Sequence, residues 1–152
     1  MFSIFKYFQK SSISPNNKKF LIVGLGNIGE EYKNTRHNIG FDIVDQLGKI
    51  QKGTFNSAKY GDILKSKYAG KQIILLKPNT FMNLSGKAVL YWLKKEKIHT
   101  NNLIVIVDDL NINFGVSRLK PSGSDGGHNG LNDITNSLNT ASFPRRRFGI
   151  GI

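Results

Sequence analysis

The sequence predicts a single-domain α/β fold built on a mixed β-sheet. Three observations carry this: short apolar runs alternate with segments of helical period, two of the runs are joined by a tight turn, and 152 residues suit one domain with a core. Residues 20–25 (FLIVGL) form an apolar run that reads as a buried strand. Residues 38–50 place Ile39, Ile43, Val44, Leu47 and Ile50 on one helical face. Residues 62–68 and 72–76 read as a β-hairpin turning at Ala69-Gly70-Lys71. Lys77-Pro78-Asn79 ends that hairpin, and residues 84–97 predict an amphipathic helix with Val89, Trp92 and Leu93 inward. Residues 103–107 (LIVIV) predict another buried strand, 116–119 a further strand, 130–138 a helix and 147–152 a last strand. Helices alternating with strands, plus one hairpin, require parallel and antiparallel pairing in one sheet. There is no internal repeat, and the linkers are short apart from the Gly/Ser-rich residues 121–127.

Composition narrows the function. Basic side chains number 22 against 10 acidic ones, a net charge of +12, with a sequence pI near 10.0. Such an excess points to a polyanionic partner, nucleic acid ahead of an anionic membrane surface, although a lysine-biased composition also serves solubility alone. With no cysteine there is no disulfide, thiol nucleophile or thiolate metal site. Three scattered histidines without an H-x-x-x-H pair argue against zinc. No apolar run is long enough to span a bilayer.

Residues 1–19 differ from the rest. They carry four lysines, no acid, several serines, and Phe2, Phe5 and Phe8 at helical spacing. A basic, acid-free, amphipathic segment reads as an organellar transit peptide, while a lysine-rich disordered tail is the equal alternative. Ser14-Pro15-Asn16-Asn17 closes it with turn chemistry. The expected organisation is therefore an N-terminal extension over 1–19 and one α/β domain over 20–152.

Four clusters carry candidate chemistry. The first joins the turn Gly24-Leu25-Gly26-Asn27-Ile28-Gly29 to Asn34-Thr35-Arg36-His37-Asn38. A histidine near the carboxyl end of a strand, able to take a proton near neutral pH, is the first candidate for a general base. The turn also matches the dinucleotide fingerprint G-x-G-x-x-G. Glu30 and Glu31 follow where a diphosphate belongs, and no second strand ends in an acid at the required distance, so that reading fails. The second cluster is Lys77 to Gly86 (KPNTFMNLSG). There Asn83 either caps the following helix or donates to an oxyanion. The third is Asp108-Asp109-Leu110 at a strand end, where Asp108 can fix an imidazole tautomer and Asp109 more plainly faces water. The fourth is Gly126-Gly127-His128-Asn129-Gly130, where small residues admit a ligand to the backbone. Arg118, Lys120, Arg145, Arg146 and Arg147 are candidates for phosphate contact.

Taken together, LIVGLGNIG (21–29), YKNTRHNIGF (32–41), KPNTFMNLSG (77–86), the Asp108–Leu110 stretch, GGHNGL (126–131) and FGIG (148–151) resemble the bacterial-type peptidyl-tRNA hydrolase family, in its order, from about Phe20 onward. The resemblance implies a twisted mixed β-sheet flanked by helices on both faces, and an esterase acting on peptidyl-tRNA without cofactor or metal. It implies that His37 activates water, that Asp108 orients His37, and that Asn27, Asn83 and Asn129 position substrate and stabilise the intermediate. Tyr32 and Met82 would line the pocket for the terminal adenosine and peptide backbone, His128 would support the hydrogen bonding, and Arg118, Lys120 and Arg147 would hold acceptor-stem phosphates. The expected partner is the acceptor stem and 3′ end of peptidyl-tRNA, with no membrane and a monomeric enzyme. The implied setting is translation and the recycling of tRNA. The compartment is an organelle if the extension is a transit peptide, and otherwise the cytoplasm.

Ile28 stands where the family usually has proline, Asn111 and Asn113 where aspartate and proline are usual, and Arg146 at an apolar position. The family pattern also continues past the last matching motif, so the resemblance implies a domain without its C-terminal part: a fragment, a variant product or an incomplete gene model. A non-catalytic relative that binds RNA or a protein partner, as in organellar intron splicing, is the alternative function.

Overall fold

The computed structural model describes residues 18–29 and 38–150. Its elements run β1 (Lys19–Gly24), α1 (Ile39–Ile50), β2 (Asn56–Ala58), β3 (Gly61–Tyr68), β4 (Lys71–Pro78), α2 (Ser85–Glu96), β5 (Leu103–Asp109), β6 (Ser117–Lys120), α3 (Asn129–Leu138) and β7 (Arg145–Gly149). Among the described residues the strands form one seven-stranded sheet in the order β2-β3-β4-β1-β5-β7-β6. The predicted mixed pairing is present. β4, β1, β5 and β7 are mutually parallel at the centre, and β2, β3 and β6 join antiparallel at the edges.

The apolar runs take the centre because only central strands are covered on both faces. Alternate residues of β1 divide between two cores. Leu21 and Val23 join α2 and α3 through Val89, Trp92, Leu131 and Ile134. Phe20 and Ile22 join α1 through Val44 and Leu47. Helices thus cover both faces of the sheet.

Three local outcomes differ from the sequence reading. In α1 the buried positions are Gly40, Val44, Leu47 and Gly48, whereas Ile50 is exposed. The reason is close approach: a Cβ on Gly40 would meet the backbone of Leu25 and Ile106, and one on Gly24 would meet Gly40. Helix and strand end therefore touch backbone to backbone, which rotates Ile50 outward. This also gives Gly24 a packing role in place of a diphosphate-binding one. The last strand begins at Arg145, two residues earlier than read from the pattern. Arg145 is fully buried, with Nη2 donating to the carbonyls of Ala141 (2.6 Å) and Phe143 (3.2 Å) and Nη1 to Ser124 (3.3 Å). Its guanidinium also stacks 4.2 Å from the Phe143 ring. Arg145 is accordingly a core residue and no phosphate contact. Finally, β2 is three polar-to-small residues defined only by pairing with β3, a signal absent from the local sequence.

Candidate active site

The carboxyl ends of the parallel strands open into a cleft of about 340 Å³ lined by Asn27, Met82, Asp108, His128, Asn129 and Arg147, together with residues 109–111 and 126–127. Open α/β sheets place their sites at this edge, because loops leaving adjacent strands separate there. β1 supplies Asn27 through a loop that is fixed twice. Leu25 N–H donates to the Ile106 carbonyl at 3.0 Å. The Asn27 N–H donates to the Asn38 side-chain oxygen at 2.8 Å, and the Asn38 amide returns a bond to the Asn27 carbonyl at 3.0 Å. Asn38 is buried, so this two-bond clamp locks the loop to the residue immediately after His37 in sequence. His37 and Tyr32 themselves lie outside the described residues.

β5 supplies Asp108, and the N-terminus of α3 supplies His128. The His128 Nε2 is 3.1 Å from Asp108 Oδ1, with both side chains 11% exposed. The other ring nitrogen, Nδ1, accepts from the Gly130 N–H (3.1 Å) and the Leu131 N–H (3.3 Å), which makes His128 the N-cap of α3. A nitrogen that accepts two N–H bonds carries no proton, so the ring proton is on Nε2 and is donated to Asp108. His128 is therefore committed at both nitrogens. It ties the strand-end carboxylate to a helix and is poorly placed to act as a base. The neighbouring Asp109 pairs with Arg147 (3.4 Å), whose other amino group donates to the Ser124 carbonyl at 2.5 Å.

Met82 lines the cleft from a 3-10 turn, Met82–Leu84, whose first carbonyl accepts from Ser85 Oγ at 2.7 Å. Asn83 is exposed on that turn, one residue from the lining. It does not cap α2, because Leu84 is the N-cap and makes no side-chain bond. The open amide of Gly86 is taken by Asp133 of α3 at 2.7 Å. Arg118 and Lys120, exposed on β6, line an adjoining hollow of about 350 Å³ that shares Asp109, Gly126 and Arg147 with the cleft. The fold thus gathers Asn27, Met82, Asp108, His128, Asn129 and Arg147, with Arg118 and Lys120 beside them and Asn83 on the rim.

Sequence reasoning gave no role to Asn38 or Asp133. An asparagine directly after the candidate base was the available signal for Asn38. Asp133 offered none, since its partner is 47 residues away. Among the described residues no group of three or more His, Cys, Asp or Glu side chains is arranged to hold a metal, and no helix is long and apolar enough to cross a membrane.

A mixed α/β sheet with a carboxylate–imidazole pair and amides at its carboxyl edge, beside exposed arginine and lysine, has the build of a hydrolase for an anionic substrate. The model of the family Peptidyl-tRNA hydrolase matches residues 21–152, and the chain belongs to that family. It is 55% identical over 133 residues to the peptidyl-tRNA hydrolase of Phocaeicola vulgatus and 56% to that of Parabacteroides distasonis, in each case over 88% of this chain and 71% of the relative. The crystal structure of peptidyl-tRNA hydrolase from Acinetobacter baumannii superposes with a TM-score of 0.85 at 41% identity, over 91% of this chain and 71% of that one. These relatives are bacterial, and the organellar address read from residues 1–19 gains no support from them.

Proposed function

We propose that this chain hydrolyses the ester joining a peptide's carboxyl group to the ribose hydroxyl at the 3′ end of tRNA, freeing the tRNA for translation. The observation that carries the reading is the convergence of Asn27, Asp108, His128 and Asn129 on one cleft in a chain of this family. His37 takes a proton from water as the water adds to the ester carbonyl. The tetrahedral oxyanion is held by amide N–H groups of the asparagines. Collapse of the intermediate expels the ribose oxygen, which recovers the proton. An activated ester needs no serine or cysteine nucleophile when a base and preorganised donors are present.

Asp108 orients the base, and His128 in turn holds Asp108. Met82 and Tyr32 border the terminal adenosine and peptide backbone, and Asn83 contributes a donor from the rim. Arg118 and Lys120, being exposed, attract the acceptor-stem phosphates, with Arg147 behind them at the junction of the two hollows. The enzyme works as a monomer in the cytoplasm, a setting in keeping with bacterial relatives. The test is incubation of the purified chain with an N-blocked aminoacyl-tRNA. Release of deacylated tRNA is expected. Retained tRNA binding without cleavage would favour the non-catalytic reading instead.

A further inference from the structure

A second basic surface lies at the other side of the sheet. Lys87, Tyr91 and Lys95 recur every four residues and share one face of α2. The β2–β3 turn brings Lys59 and Tyr60 against that face, held by Trp92 Nε1–H donating to the Lys59 carbonyl at 2.8 Å. Tyr60 and Tyr91 meet edge to face at 5.5 Å. Around these two half-buried rings the three ammonium groups converge. Lys59 Nζ is 5.3 and 5.2 Å from the Tyr60 and Tyr91 centroids, Lys87 is 5.8 Å from Tyr60, and Lys95 is 5.7 Å from Tyr91.

All three lysines are exposed, and among the described residues none has a carboxylate partner. Lys77, which also lies over a ring, shows the contrasting arrangement: its ammonium is 4.5 Å from Phe55 and neutralised by Asp45 at 2.6 Å. Ring faces attract single ammonium groups, but they do not cancel the repulsion among three gathered within one small patch. A polyanion laid across the patch would cancel it.

The patch starts near the end of the sheet at which the cleft opens and runs along α2 away from it. The Tyr60 carbonyl accepts from the Asn79 N–H at 2.9 Å, which fixes the turn to the carboxyl end of β4, the end at which the cleft opens. Lys87 lies in the first turn of α2, directly after the turn that carries Met82 into the cleft. Arg118 and Lys120 are on the outermost strand at the opposite side of the sheet.

We infer that Lys59, Lys87 and Lys95, arrayed over Tyr60 and Tyr91, form a second RNA-binding surface that holds tRNA phosphates on the flank of the cleft opposite β6. This rests on the proposed activity toward peptidyl-tRNA and adds a contact to it. The test measures binding of deacylated tRNA by the full chain and by the triple variant Lys59→Gln, Lys87→Gln, Lys95→Gln over a series of salt concentrations. The variant should bind about tenfold or more weaker at low salt, with the slope of log affinity against log salt shallower by about 2. The matching triple arginine variant should keep wild-type affinity, which separates lost charge from lost folding.

Unchanged affinity and slope in the glutamine variant, equal weakening in the arginine variant, or failure of the wild type to bind tRNA would each overturn the inference. Deacylated tRNA has no ester to cleave, so the outcome stands apart from whether the chain is a hydrolase.

Discussion

Asp108 and Glu96 are carboxylates of nearly equal exposure, 11% and 10% of the side chain, each about 3 Å from a nitrogen. They lie at opposite ends of the sheet and have different consequences. Glu96 ends α2 between Lys19 (3.0 Å) and Lys65 (3.3 Å). Burial alone would raise its carboxyl, but hydrogen bonds and charge from the two lysines outweigh burial and hold it below its ordinary value of 4.5. Two full cations satisfy it, and a hollow of about 350 Å³ adjoins it, lined by lysines with Ser66, Gln72, Ile73 and Ile74. Asp108 meets an imidazole whose other nitrogen is spent on a helix cap, and it borders a cleft carrying Asn27 and Asn129. Burial and ion pairing are common to both. What marks Asp108 is a partner fixed in one tautomer and a cleft lined by the amides of Asn27 and Asn129.

The largest break in this comparison is expected from Asp108→Asn. Turnover of peptidyl-tRNA should fall about 100-fold or more, on the scale of losing an orienting carboxylate or an oxyanion donor, while Glu96→Gln leaves turnover at the wild-type level. Near-normal turnover by Asp108→Asn would make the two carboxylates equivalent. Next come two substitutions of His128. His128→Ala removes both the cap and the bond to Asp108, costing about 1 kcal/mol of stability as well as activity. His128→Asn keeps a side chain suited to capping, so it should restore stability but not activity. Recovery of both together would mean that His128 acts only as a cap.

A smaller effect is expected from Lys120→Gln. It should leave single-turnover cleavage intact while making the salt dependence of tRNA binding shallower by about 1. An unchanged slope would remove Lys120 from the phosphate contacts. The smallest concerns Glu96. Because its folded pKa is lowered, the stability it contributes is present above its unfolded value and is lost as pH falls through the folded one. Thermal melts of Glu96→Gln should therefore show at most about 1 kcal/mol of loss at neutral pH, and a smaller difference from wild type in acid. A constant difference across that range would detach the effect from ionisation.

How far the sequence discloses this arrangement depends on the range of the signal. β1, β5 and the α2 core face follow from apolar runs and helical period, which are local. The cleft residues Asn27, Asp108, His128 and Asn129 stand out because polar groups crowd into glycine-rich turns at strand ends, again a local pattern. Arg145 does not, since a core arginine looks like surface charge until the carbonyls of Ser124, Ala141 and Phe143 surround it. The Asp133 bond to Gly86 joins distant segments and has no local signature, and the position of Asn38 after His37 marks the residue but not its clamp on Asn27. The rotation of Ile50 out of the core likewise requires knowing that α1 approaches β1 through Gly40.

The role proposed for His37 is to activate the water that attacks the ester. Single-turnover cleavage of peptidyl-tRNA by His37→Ala, with tRNA affinity measured on the same protein, tests it most directly. Cleavage should be abolished while affinity changes little. Cleavage at the wild-type rate would contradict the claim and take His37 out of the mechanism.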